Sequence, residues 1–385
     1  ARGAPRGGPA MSLHELTDEQ REIRDLARRF ADQEVAPNAA AWDREHRFPR
    51  EVLSDLGELG LMGVCVPEAH GGAGADFLSY CLVLEELSRA DAGLGVTVAV
   101  HTSAGTLPIL EHGTPEQTGR LVPPLAQGHE IAAFALTEAG SGSDAGAMRT
   151  RADGDGRITG SKQWTTNGSH AHTFIVFARD GERPSAFVVR RGAAGFRVTR
   201  EEEKLGLNSS STADLSFEET PAERLGEPGA GMRIALRTLD AGRIGIAAQA
   251  VGIAQAALDV AVGYARERSA FGRPIGGFQA IQQKLADMQT EIEAARALVW
   301  RAARLKEAGR PHTVEGAQAK LFASRVARHW TGEAIQVLGG YGYTKDFPAE
   351  RYYRDAKVTE IYEGTSEIQR LVIARALLGE VAREA

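Results

Sequence analysis

The sequence predicts an α+β fold in three consecutive parts: an N-terminal helical domain over residues 13–131, an antiparallel β-barrel or sandwich over 132–231, and an antiparallel four-helix bundle over 232–385. Three observations carry this. At 385 residues the chain is too long for one ordinary core. Its hydrophobic period changes twice, from helical to strand-like and back. No helical crossover fits between the middle strands, so they are expected to pair antiparallel.

Residues 1–12, rich in Gly, Pro and Arg and without the apolar core of a secretion signal, are read as a disordered leader outside the fold. Thr17-Asp18-Glu19-Gln20 reads as a capping box, since a threonine hydroxyl and a glutamine amide at this spacing can cap each other's backbone. Ile23, Leu26, Ala27 and Phe30 then share one helical face, and Pro37, which has no N–H to donate, is expected to stop that helix. Glu51 to Leu61 predicts a second helix closed by glycine, 70–74 a loop, and Leu78 to Arg89 a third helix. In the middle part, 174–178 and 186–189 are short apolar runs, and 196–198 and 215–217 alternate, as strands do. Residues 153–156 and 179–182 are hairpin-type turns between such runs. From Met232 the helical period returns. Ile253, Ala257, Val260 and Tyr264 line one face, Ile292, Ala295, Val299 and Ala302 another, and 272–274 and 309–311 mark breaks. Such helices pair best as an antiparallel bundle.

Composition excludes several functions. Hydrophobic content of 43%, charged content of 25% and a net charge of −6 describe a globular protein with no basic character for nucleic acid. No apolar run approaches the ~18 residues of a membrane helix, so membrane insertion is not expected. Only Cys65 and Cys81 are present, which supports neither a disulfide framework nor a thiolate metal site and fits a reducing compartment. His170 and His172 read as alternating in a strand with no third ligand, so no metal site is expected. No dinucleotide fingerprint occurs, because Gly140-Ser141-Gly142 meets its next glycine at 146, one residue late. A P-loop and a nucleophile elbow are also missing.

Three segments remain as candidate chemistry. In 361–370, Glu363 follows an aromatic and precedes Gly364, and Thr365-Ser366-Glu367 opens a helix. A helix start offers free N–H groups to an anion, and a carboxylate beside such donors can take a proton from carbon next to a carbonyl. In 134–147, three small flexible residues lie beside Thr137 and Ser143, and twenty residues later Trp164-Thr165-Thr166 adds an indole and two hydroxyls. That set suits a flat heterocycle better than a metal. In 336–343, glycines at 339, 340 and 342 allow close backbone approach, although on local evidence alone a plain helix end explains them better.

Taken together these segments resemble those of the acyl-CoA dehydrogenase family, over nearly the whole chain from Leu13. The stretches Ala135–Asp144 and Gln336–Asp355 look like its two signatures, and Ile361–Arg370 like its catalytic segment. The resemblance implies FAD, desaturation of an acyl-CoA thioester between Cα and Cβ, a homotetramer, and an electron-transfer flavoprotein as acceptor. It implies Glu363 as the α-proton base, with the backbone N–H of Glu363 polarising the thioester carbonyl. Phe134, Leu136, Thr137, Gly142, Ser143, Trp164, Thr165 and Thr166 would hold the flavin. Arg268, Phe271, Gln279, Gln336, Val337, Gly339 and Gly340 would reach FAD of a neighbouring subunit, and Thr365 and Glu367 its adenosine end. Ser143, Asp240, Gly242, Arg243, Tyr362 and Gly364 would touch the acyl-CoA. Some branches of the family carry the base near position 242, and glycine there favours Glu363. The run 239–246 looks most like the short-chain (butyryl-CoA) branch, and the lack of arginine in 92–100 argues against a dicarboxylic substrate. An acyl-CoA oxidase, a dehydrogenase of branched-chain or carrier-protein thioesters, and a non-catalytic flavoprotein are the competing readings. The expected location is the bacterial cytoplasm, or the mitochondrial matrix in a eukaryote.

Overall fold

The computed structural model describes residues 15–379; the leader expected at 1–12 lies outside them. The first part holds α1 (Asp18–Phe30), α2 (Ala36–Glu45), α3 (Arg50–Glu58), α4 (Phe77–Ala90), α5 (Ala92–Ala99), α6 (Leu107–His112) and α7 (Pro115–Ala126). The Thr17 capping box is formed, with Gln20 N donating to Thr17 Oγ1 at 3.1 Å and Thr17 N to Gln20 Oε1 at 3.0 Å. Pro37 does not stop the helix as expected. A π-helical turn, Ala31–Val35, joins α1 to α2, and Pro37 sits in the first turn of α2, where an N–H is dispensable. Asn38 Nδ2 takes up the Glu34 carbonyl at 2.9 Å, so the wider turn leaves that acceptor satisfied.

The middle part holds β1 (Ala132–Ala135), β2 (Arg151–Ala152), β3 (Arg157–Thr166), β4 (Thr173–Asp180), β5 (Arg183–Arg190), β6 (Phe196–Glu201), β7 (Thr212–Pro221) and β8 (Glu223–Leu225). They form one sheet in the order β6-β7-β3-β2-β4-β5-β8, with β1 also on β4. The sheet is mixed rather than antiparallel, because β1 and β2 both pair parallel to β4. A parallel crossover is expected to need a helix; here β1 and β2 lie along one edge of β4 and the chain returns through β3. His170 and His172 lie in the turn before β4, not in a strand.

The last part holds α8 (Gly231–Glu267), the two-residue strands β9 (Ser269–Ala270) and β10 (Arg273–Pro274), α9 (Gln279–Glu307), α10 (Thr313–Leu338), α11 (Gly340–Tyr343), α12 (Ala349–Val358) and α13 (Ser366–Leu378). Long helices α8, α9 and α10 pack on one another, and α4 from the first part packs on α8 and α9. Gly252 permits that approach, since a Cβ there would lie 2.3 Å from the Glu85 carbonyl oxygen. Arg296–Glu85 (2.8 Å) and Arg354–Asp43 (2.6 Å) tie the bundle to the first part, and Asp355 Oδ1 accepts from Leu207 N of the middle part at 2.6 Å. Contrary to the sequence reading, Ala92–His112 and Gly231–Glu267 are long and apolar enough to cross a membrane by length and composition. Both are mostly buried inside the protein.

Candidate active site

Glu363 stands in the turn between α12 and α13, in a left-handed conformation (φ 50°) followed by left-handed Gly364 (φ 89°). Its carboxylate points at α8. A Cβ added to Gly242 would lie 1.8 Å from Glu363 Oε2, so a side chain at 242 and the Glu363 carboxylate compete for one volume. Oε2 is fully enclosed and has no hydrogen-bond partner among the described residues, although the residue as a whole is only half-buried. Burial pushes the Glu363 carboxyl up to about 7, with Lys320 and then Arg243 pulling it back down. The Glu363 backbone N–H donates no hydrogen bond among the described residues.

The surroundings are polar and mostly paired, although Arg243 Nε has no partner among the described residues. Arg243 is buried and bonded to Asp240 Oδ1 at 2.6 Å, and Thr313 Oγ1 donates to Asp240 Oδ2 at 2.7 Å. Tyr362 Oη donates to Gln249 Oε1, and Gln249 Nε2 to the Ala92 carbonyl at 2.8 Å. At the start of α13 two of the backbone donors are taken. Ser366 N is bound to Glu360 O and Ile368 N to Thr365 Oγ1. Glu367 is exposed.

The loop after β1 is anchored where it meets β3. Gln163 N donates to Thr137 O at 2.8 Å, and Glu138 and Ser141 exchange backbone bonds of 3.0 Å. Phe134 is half-buried on β1 and Leu136 buried, whereas Gly142 and Ser143 are exposed, and a Cβ at Gly142 would meet nothing within 4 Å. At the end of β3, beside a register shift, Trp164 adopts a left-handed conformation (φ 54°) and the residue is 58% exposed. Thr165 beside it is buried and its Oγ1 has no partner among the described residues; Thr166 is half-buried. An open indole, an unsatisfied hydroxyl and unobstructed glycines fit a flat heteroaromatic ring with polar edges, so these residues fit FAD.

One helix connects this wall to the base. Asn167 Nδ2, just past Thr166, donates to Thr97 O at 3.0 Å on α5, whose first residue, Ala92, accepts from Gln249. Five residues of helix span roughly 7.5 Å. The remaining predicted residues gather elsewhere. Arg268, Val337, Gly339 and Gly340 line an open groove of about 520 Å³, with Arg268 over the Tyr341 ring at 5.8 Å. Gln336 is exposed nearby; Phe271, 94% exposed, tips the β9–β10 hairpin, and Gln279 begins α9. Lys320 and Leu338 are eighteen residues apart on α10, roughly 27 Å, so this groove lies far from Glu363 of the same chain.

Sequence reasoning missed Gln249, Lys320, Gln369 and the Glu138–Lys162 pair. The available signal was a lone polar residue in an apolar helical run, as in Ala247-Ala248-Gln249-Ala250-Val251 and Ala319-Lys320-Leu321-Phe322.

Three family models match the chain: "Acyl-CoA dehydrogenase, N-terminal domain" over residues 17–129, "middle domain" over 133–220 and "C-terminal domain" over 229–378. The short-chain specific acyl-CoA dehydrogenase of Bos taurus mitochondria is 50% identical, covering 98% of this chain and 96% of that protein. Butyryl-CoA dehydrogenase from Megasphaera elsdenii superimposes with a TM-score of 0.92 at 42% identity, covering 94% of this chain and 99% of that one. A chain in a structure described as the electron transferring flavoprotein of Acidaminococcus fermentans gives a TM-score of 0.94 at 47% identity, covering 95% and 99%.

Proposed function

The chain belongs to the acyl-CoA dehydrogenase family, and from that premise we propose that it desaturates short-chain acyl-CoA, with Glu363 as the base. It is an FAD-dependent oxidoreductase. The observation that carries the finer reading is the enclosed, unpartnered Glu363 Oε2 facing Gly242.

FAD, when bound against Trp164 and Thr165, supplies the acceptor for the β-hydrogen as hydride. Glu363 Oε2 takes the α-proton, and the Gly242 backbone leaves room for the substrate's α-carbon beside it. A carbon acid this weak needs its developing enolate oxygen held, and the free Glu363 N–H is a donor available for that. A carboxyl raised to about 7 matches a base that works near neutral pH. Gln249 lies seven residues from Gly242 on the same face of α8, and its bonds to Tyr362 and Ala92 put a buried polar bar across that face. That bar, fixed by its own two bonds, occupies the face along which a longer apolar tail would extend, which supports short acyl chains of about four to eight carbons.

The Acidaminococcus match supports an electron-transfer flavoprotein as acceptor. The distance of the Arg268–Gly340 groove from Glu363 supports its serving FAD of a second subunit, and hence the homotetramer. The mitochondrial and bacterial relatives support either of the two locations named above.

The test is anaerobic addition of thioesters of increasing length to the holoenzyme. Butyryl-CoA is expected to bleach the flavin fastest. No bleaching by any short-chain thioester overturns the reading.

A further inference from the structure

Lys320 is a buried group that this reaction leaves without a task. It lies on the buried side of α10 and is only 1% exposed. A lysine so enclosed ordinarily ends in an ion pair, yet among the described residues its ammonium forms none. Instead Nζ donates to the Gly364 carbonyl at 2.6 Å, and Gln369 Nε2 donates to the same oxygen at 2.7 Å. That carbonyl directly follows Glu363, in the turn where both residues are left-handed. A left-handed glutamate is strained and persists only where its surroundings hold it. Two donors on one carbonyl, from two different helices, supply that hold.

We propose that Lys320 is a positioning residue for the base: from α10 it grips the Gly364 carbonyl, fixes the turn that aims Glu363 at Gly242, and places a cation in the carboxylate's surroundings. The inference rests on Glu363 being the base. The ionisable groups around the carboxylate are Lys320, Arg243 with its partner Asp240, Tyr80 from α4, and adjacent Tyr362; Glu360 and Glu367 act on Lys320. Burial pushes Lys320 down to about 7, opposed chiefly by the charge of Glu363.

The test is the rate of flavin bleaching by butyryl-CoA, from mildly acid to alkaline pH, in holoenzyme variants matched for flavin content. Lys320→Met fills the space without donor or charge. It is expected to slow bleaching about tenfold or more, as misaligned groups do, and to move the acid limb up by about one pH unit, because loss of a nearby cation disfavours the carboxylate. Lys320→Arg, which keeps the charge, should return the limb towards wild type. If the methionine variant does not fold, Lys320→Gln carries the same pH test. A neutral variant with the wild-type limb overturns the proposal, whether its rate is normal or lowered equally at every pH. Glu363→Gln keeps the two readings apart. If it still bleaches, the assignment of the base fails; if it is inert while the Lys320 variants behave as wild type, only this inference fails.

Discussion

Two glutamates, each beside a loop of small residues, meet opposite fates in this molecule. Glu138 is buried, and burial pushes its pKa up, but three hydrogen bonds and the charge of Lys162 more than reverse this. Lys162 Nζ donates to Oε1 at 2.8 Å, Thr150 N to Oε1 at 3.0 Å and Arg149 N to Oε2 at 2.6 Å. Its pKa ends below the ordinary value. Lys162 Nζ also donates to Leu136 O at 3.0 Å, so this knot ties down the loop carrying Thr137. Glu363 Oε2 is enclosed too, but nothing among the described residues donates to it, and the carboxyl rises to about 7. Burial alone does not make a base. The lesson lies in the donors: a carboxylate supplied with them is structural, and one deprived of them is left to find its proton in the substrate.

The comparison breaks first at the reaction. Glu363→Gln should keep FAD and lower the bleaching rate by about 10²–10⁴-fold, the usual worth of a general base, while Glu138→Gln should leave chemistry per bound flavin near wild type. Equal losses in both would dissolve the distinction. Gly242→Ala is the next largest effect. Its Cβ would overlap Oε2, so a displaced carboxylate should cost about 10²-fold in bleaching rate, with thermal stability little changed; a wild-type rate would mean that the carboxylate does not need that space.

The third contrast is stability. Glu138→Gln strips a buried lysine of its partner and should destabilise the protein by about 3–5 kcal/mol, read as a fall in denaturation midpoint and in flavin retention. An unchanged midpoint would mean that the knot is dispensable. The smallest effect is that of pH. Glu363 works as its anion, so the bleaching rate should fall about tenfold for each pH unit below about 7 and level off above it. Glu138, ionised throughout that range, should add no limb of its own.

Much of this was legible in the residues. The capping box at Thr17, the strand runs and the long C-terminal faces are local signals, and the structure has them where the sequence put them. Pro37 misled because the sequence offers no sign of a π turn that absorbs it. The parallel pairing of β1 and β2 with β4 was invisible because strand direction is set by chain return, which periodicity does not encode. At the site, Glu363 and Trp164 stood out by motif. Lys320, Gln249 and Lys162 did not, because each acts on a partner more than twenty residues away.

The central claim is that Glu363 alone of the two is held near neutrality. Infrared difference spectra of the substrate-free holoenzyme, wild type minus Glu363→Gln, test it directly. The account predicts a carboxylic-acid carbonyl band that is present in mildly acid solution, disappears with a midpoint near pH 7 and has no counterpart in wild type minus Glu138→Gln. A Glu363 carboxyl already fully ionised in mildly acid solution would contradict it.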